Sequence, residues 1–185
     1  MNGHQKQKEQ SRRMIEDALF LIMEEKPYAQ ITVSEIAKTA DVSRRTFYRM
    51  YHEKDEVLHC YFERLCREYR GQNAALEHYD ISRIAQEYFT FWGRHRDTLL
   101  LMHRCGLDQM LYFELSRASG VVVKARISGR DRENDRDTEY FAEYSTGGFS
   151  LLLQRWIAEG MEKPAEQYAQ AVSQALLKFI GTATK

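Results

Sequence analysis

The sequence predicts an all-α protein, and three features of it carry that prediction. Only 2 Pro and 10 Gly punctuate 185 residues, so little breaks the chain into short strands. Apolar residues recur three and four apart, the period of a helix with one buried face. No strand pattern longer than Val121 to Val123 interrupts them. At 43% apolar and 29% charged, the chain can bury a core, which excludes a disordered or fibrous protein.

The elements follow in order. Ile15, Ala18, Leu19 and Ile22 form the stripe of a first helix over residues 8 to 25, and Pro27 stops it. Thr32-Val33-Ser34-Glu35 is a capping box, in which the Thr hydroxyl takes the amide of the third helical residue and the Glu reaches back. Ile36, Ala37 and Ala40 continue that short second helix, and Asp41 marks the turn. Ser43 is the N-cap of a third helix carrying Arg44, Arg45, Thr46, Phe47, Tyr48 and Arg49, with Phe47 and Met50 facing inward. A fourth runs from Glu53-Lys54 to about Arg70. Further helices are expected at 81–93, 96–104, 107–127, 138–160 and 164–181, about nine in all. Gly106 and Gly160 separate them, and Pro164 is expected as the first residue of the last. The stretch 129–137, GRDRENDRD, has no apolar residue and reads as a loop.

Lys+Arg (27) balance Asp+Glu (27), which excludes a generally polybasic nucleic-acid coat. Zero net charge hides two basic islands. Gln5 to Arg13 holds Lys6, Lys8, Arg12 and Arg13 against Glu9 alone, and Val42 to His52 holds Arg44, Arg45 and Arg49 with no acid. Each is +3, and both lie in the first third of the chain.

Two short helices joined by about four residues, the second rich in Arg, form the pattern of a helix-turn-helix. Arg44 and Arg45 can fork onto guanine edges and the Thr46 methyl can meet thymine. Arg49 lies on the same outer surface, Ser43, Tyr48 and Lys54 suit phosphates, and the helix starts at Thr32 and Lys54 add backbone amides. The run ITVSEIAKTADVSRRTFYRMYHEKDEVL resembles the DNA-binding domain of TetR-family transcriptional regulators. The likeness rests on Thr32, Ile36-Ala37, Val42-Ser43, Tyr48, Tyr51 and Lys54 at fixed spacing. It departs at Asp41, where Gly is usual, at Arg45, where Gly or Lys is common, and at Tyr51, often Phe. Residues 140–156, with Gly147-Gly148 before Trp156, are similar to a C-terminal type common in Gram-positive bacteria.

The resemblance implies a helix-turn-helix head over 1–53 and a helical effector-binding and dimerisation domain over 54–185. It implies a homodimer on a roughly palindromic DNA operator, repressing until a small-molecule effector binds. An alternative is a co-regulator of the same fold acting through a protein partner. Tyr61, Tyr69, Tyr88, Phe89, Trp92, His103, Tyr112 and Phe113 are the aromatic and polar candidates for an effector pocket, against the plainer reading of a helical core. Phe149, Leu152, Leu153, Trp156 and Ile157 are the candidate dimer face, the plainer reading again being core.

Other chemistry is not expected. Cys60, Cys66 and Cys105 fit neither a disulfide framework nor a CxxC pair, and an odd count suggests reduced thiols in cytoplasm. The first residues, MNGHQKQKEQSRR, lack the apolar stretch of an export signal, and no apolar run approaches a membrane span. The six His show no HExxH or His/Cys spacing, and neither a phosphate loop nor G-x-S-x-G is present. No metal, cofactor or catalytic set is expected.

Overall fold

The computed structural model describes residues 3–73, 80–116 and 136–180. Nine helices occur among the described residues. They are α1 (Gly3–Glu25), α2 (Val33–Thr39), α3 (Arg44–Tyr48), α4 (Lys54–Asn73), α5 (Ile81–Gly93), α6 (Arg96–Arg104), α7 (108–116), α8 (Arg136–Ala158) and α9 (Ala165–Ile180). A single 3-10 turn, Tyr28–Gln30, follows Pro27. The fold is all-α, as the spacing of apolar residues predicts.

Several boundaries move. α1 begins at Gly3 rather than at residue 8, because its Lys, Gln and Glu residues are good helix formers even without an apolar stripe. α8 begins at Arg136 rather than 138, with Asp137 and Glu139 in its first turn, where acids suit the helix dipole. Pro164 precedes α9 as its cap: its carbonyl accepts the Tyr168 amide at 2.9 Å. Proline lacks an amide to lose, so either position suits it. The remainder of the helix expected at 107–127, the Val121 to Val123 stretch and residues 129–135 lie outside the described residues.

Contact density divides the chain into two compact units, Met1–Leu65 and Cys66–Lys185. In the first, α1 packs on α2 and α2 on α3. Ile15, Leu19, Ile36, Phe47, Leu58 and Phe62 are completely buried there. Met50 is only half-buried, so Phe47 alone plugs α3 into the core. Phe20 meets Tyr61 edge-on at 4.8 Å, joining α1 to α4. Beside that contact Glu16, 3% exposed, pairs with Arg64 of α4. Burial pushes the Glu16 carboxyl up, with Arg64 opposing.

The second unit is held by an aromatic core where α5, α8 and α9 meet. Phe89 lies 4.9 Å from Tyr168, 5.9 Å from Trp156 and 6.0 Å from Phe149, centroid to centroid. Trp156 stacks on Tyr168 at 5.1 Å, and its Nε1 donates to the Lys163 carbonyl at 3.0 Å. A Cβ at Gly93 would sit 3.0 Å from that of Ala165, so a glycine there lets α5 and α9 close together. Gln154 Nε2 donates to the Asp108 carbonyl at 3.1 Å and ties α8 to α7.

Candidate nucleic-acid interface

The local architecture of the first unit serves to display α3. Thr32 Oγ1 accepts from Glu35 N at 3.3 Å while Glu35 Oε2 accepts from Thr32 N at 2.9 Å, completing the capping box. Lys26 Nζ donates to the other Glu35 oxygen at 2.5 Å. The Lys26 bond first, then those from Thr32, hold the Glu35 carboxyl down to about 2. After α2 the chain turns at Asp41 with φ +50°, and Val42 N donates to Ala37 O at 2.9 Å. Asp is among the few non-glycine residues that tolerate this left-handed conformation, so the missing glycine is accommodated.

Ser43 caps α3, its Oγ accepting from Thr46 N at 3.0 Å and lying 2.9 Å from Thr46 Oγ1. Phe47 anchors the helix inside, and Arg44, Arg45, Tyr48 and Arg49 stand exposed. Among the described residues none of these three arginines pairs with an acid. Tyr48 rests edge-on against Phe47 at 5.7 Å, which fixes its ring and leaves its hydroxyl end outward. Three uncompensated guanidiniums and a phenol on one capped helix make a surface suited to a polyanion with readable edges.

Lys54 is placed differently from the phosphate contact expected of it. Its Nζ donates to the carbonyls of Tyr28 at 2.6 Å and Ile31 at 3.0 Å, and stands 4.4 Å from the centre of the Tyr28 ring. The ammonium is directed at carbonyls of the 3-10 turn and of Ile31 just after it, the Tyr28 carbonyl also accepting from Ile31 N at 3.1 Å. Tyr28 Oη completes the junction by donating to Asp55 at 2.6 Å.

The aromatic candidates of the effector pocket scatter. Tyr61 lies in the first unit beneath the Arg64 guanidinium, 5.1 Å from ring centre to Cζ. Tyr69, Tyr88, Phe89 and Trp92 are buried in the aromatic core of the second. His103 Nδ1 meets Asp108 Oδ1 at 2.6 Å and links α6 to α7. Tyr112 and Phe113 are 37% and 66% exposed and line no cavity among the described residues: α7 buries Leu111 and Leu115, and the helical period turns Tyr112 and Phe113 away from that face.

The candidate dimer face is also revised. Phe149, Leu153, Trp156 and Ile157 are buried within their own chain and Leu152 is half-buried. Apolar area already covered has little left to give a second copy. A different stripe of α8 is open: Phe141, Tyr144 and Leu151 are exposed, at helical spacing with Gly148, whose added Cβ would meet nothing within 4 Å. On α9, Ala171, Ala175 and Phe179 are exposed four apart.

Two features of the second unit escape sequence reading. A cleft of about 310 Å³ is lined by Gln72, Gln86, Glu87, Thr90, Phe91, Arg94 and Glu166; mostly polar residues on three helices give no periodic signal. Trp92 Nε1, Thr146 Oγ1 and Ser150 Oγ are buried with no hydrogen-bond partner. No group of three or more metal-ligating side chains occurs among the described residues, nor any helix long and apolar enough to cross a membrane.

A capped, basic helix-turn-helix head followed by a separate helical unit defines a DNA-binding transcriptional regulator. The comparisons with known proteins agree. Residues 16–60 match the family described as bacterial regulatory proteins, tetR family, and residues 79–178 match a transcriptional regulator C-terminal region; the chain belongs to the TetR family. A curated relative, the HTH-type dhaKLM operon transcriptional activator DhaS of Lactococcus lactis subsp. lactis (strain IL1403), is 26% identical over 102 residues. That match covers 55% of this chain and 46% of the relative, less than half of its length. Among solved structures, the dihydroxyacetone kinase operon activator DhaS aligns with TM-score 0.62 at 18% identity, over 93% of this chain and 97% of its own. The fatty acid degradation regulator FadR from Bacillus halodurans aligns with TM-score 0.60 at 19% identity, over 90% and 94%.

Proposed function

We propose that the chain acts as a homodimer whose two heads, residues 1–53, read a roughly palindromic operator, and whose remainder, 54–185, dimerises and takes a small-molecule effector. The observation that carries the reading is α3 itself, capped by Ser43, anchored by Phe47 and displaying three unpaired arginines. Arg44 and Arg45 reach base edges, Thr46 lends its methyl, and Ser43, Tyr48 and Arg49 hold phosphate, with the Thr32-capped end of α2 beside them. Two such helices enter successive major grooves one turn apart.

An effector site in the second unit is supported by the buried, unpartnered polar atoms of Trp92, Thr146 and Ser150. Each costs about 1–3 kcal/mol unless something pairs with it. A ligand that binds one arrangement of the dimer better shifts the population toward it and changes DNA affinity. The sign of regulation is proposed as repression; a relative whose name makes it an operon activator favours activation as the second reading. Reporter expression that rises on deletion of the gene supports the first, and expression that falls supports the second.

Selection of duplexes from a random pool tests the head directly. A pseudo-palindromic consensus is expected. Arg44→Ala or Arg45→Ala then relaxes preference at one or two positions by about 1–3 kcal/mol. Full selectivity retained by both variants removes them from base reading. Failure to enrich any duplex turns the reading to a co-regulator working through a protein partner.

A further inference from the structure

The second unit holds two opposite charges close together without pairing them. Gly93 and Ala165 approach so closely that a Cβ on the glycine would stand 3.0 Å from that of the alanine, which pins the end of α5 to the start of α9. The next residue on each helix is charged: Arg94 is the C-cap of α5, and Glu166 lies in the first turn of α9. Each charge suits the dipole of its own helix end. Yet both side chains are exposed, and among the described residues neither forms an ion pair, with the other or with any third group.

Both line the cleft of about 310 Å³ to which α4, α5 and α9 contribute. That volume is at the lower end of the roughly 300–1,000 Å³ of small-molecule sites. Phe91, 3% exposed, gives the cleft an apolar wall. Gln86 Nε2 donates to Thr90 Oγ1 at 3.2 Å and Gln72 Nε2 to Glu68 at 3.0 Å, so the two amides have chiefly their carbonyl oxygens left to offer. Glu87 accepts from Arg83 Nε at 2.9 Å, which balances its charge. The uncompensated charges of the cleft are therefore one cation and one anion.

We propose that this cleft binds a small zwitterion, a carboxylate and an ammonium joined by a short carbon chain, as in an amino acid. The Arg94 guanidinium forks onto the carboxylate. The ammonium, with three protons to donate, meets Glu166 and the amide oxygens of Gln72 and Gln86, and the carbon chain lies on Phe91. A ligand with only one of the two charges leaves the other unanswered. The cleft shares no residue with the buried atoms of Trp92, Thr146 and Ser150 on which the effector reading rests, and its occupancy is read without DNA.

The test is a titration of the full chain, followed by ligand-observed NMR, with glycine, β-alanine, γ-aminobutyrate and ε-aminocaproate. The distance between the two charges grows stepwise along that series. One member is expected to bind best, with butyrate and n-butylamine, which carry one charge each, about tenfold weaker or worse. Arg94→Gln and Glu166→Gln, both at exposed positions, should each weaken the best probe about tenfold, with helical content unchanged. Arg104→Gln, which removes an exposed charge of α6 outside the cleft, should leave that affinity alone. No binding by any member of the series overturns the site. So does equal binding of butyrate or n-butylamine, and so does an affinity that Arg94→Gln and Glu166→Gln both leave intact. An equal loss in Arg104→Gln makes the effect one of net charge and overturns the site too. All three variants lie outside the head, so none of these results bears on its DNA-binding role.

Discussion

Helices α3 and α8 both set aromatic residues among polar and charged ones, but they are specified in opposite ways. α3 is five residues long and takes its position from neighbours in sequence: a serine cap, a turn at Asp41 and one phenylalanine plug. α8 is 23 residues long and carries two apolar stripes, one through Phe149, Leu153 and Trp156, the other through Phe141, Tyr144 and Leu151. Only long-range packing decides which stripe meets the same chain. A short helix held by caps declares its outward face; a long helix with two apolar faces does not.

The largest effect is expected from removing a residue of the inner stripe. Trp156, 2% exposed, packs on Phe89 and Tyr168 and bonds the Lys163 carbonyl. Trp156→Ala is expected to cost about 3–5 kcal/mol in denaturant unfolding, at any protein concentration. A loss that appears only on dilution would return Trp156 to an interface between copies.

The outer stripe should respond in the other register. Leu151→Arg places a charge at an exposed apolar position and leaves the interior untouched. Burying a leucine is worth about 1.5–3 kcal/mol, and a two-fold interface repeats each contact. The variant's dimer dissociation constant, read by sedimentation, is expected to rise by a factor on the order of 10², with helical content unchanged. A dimer as tight as the parent's moves the interface off this stripe.

The capping box, the Ser43 cap, the turn at Asp41 and the buried Phe47 were legible because each is a local arrangement within a few residues. Helix type was legible for the same reason, while boundaries moved at helix ends, as where polar residues carry the starts of α1 and α8 beyond their apolar stripes and where Pro164 stands before α9 rather than inside it. Lys54 was misjudged because its partners, the carbonyls of Tyr28 and Ile31, lie more than twenty residues back. Tyr112 and Phe113 were misjudged because an aromatic count carries no phase; Leu111 and Leu115 set it. The orphaned hydroxyls of Thr146 and Ser150 had no signal at all, since serine and threonine inside a helix usually bond their own backbone.

Within the head a smaller loss is expected from the cap of α3. Ser43→Ala removes the acceptor for Thr46 N and is expected to destabilise the head by about 1 kcal/mol. Because α3 is displaced as a whole, binding should weaken on all duplexes alike. A sequence-selective loss would make Ser43 a reader of bases rather than a cap.

The smallest effect is expected from acid, and two glutamates of the same head set its direction. Glu35 has its carboxyl lowered from 4.5 to about 2, by Lys26 first and Thr32 next. A lowered folded value means a contribution present above the ordinary value and lost as pH falls from 4.5 toward 2. Glu16, raised by burial, runs the opposite way: its neutral form is the one favoured by folding, so falling pH relieves it. Glu35→Gln removes only the first of these, and the variant's stability should fall less steeply than the parent's between pH 4.5 and 2. Added salt should shrink the difference, because the Lys26–Glu35 pair is solvent-accessible and screened. Parent and variant curves that superimpose at low salt would mean that α2 is held by its apolar face through Ile36 and Ala37, with the carboxylate contributing geometry but no charge.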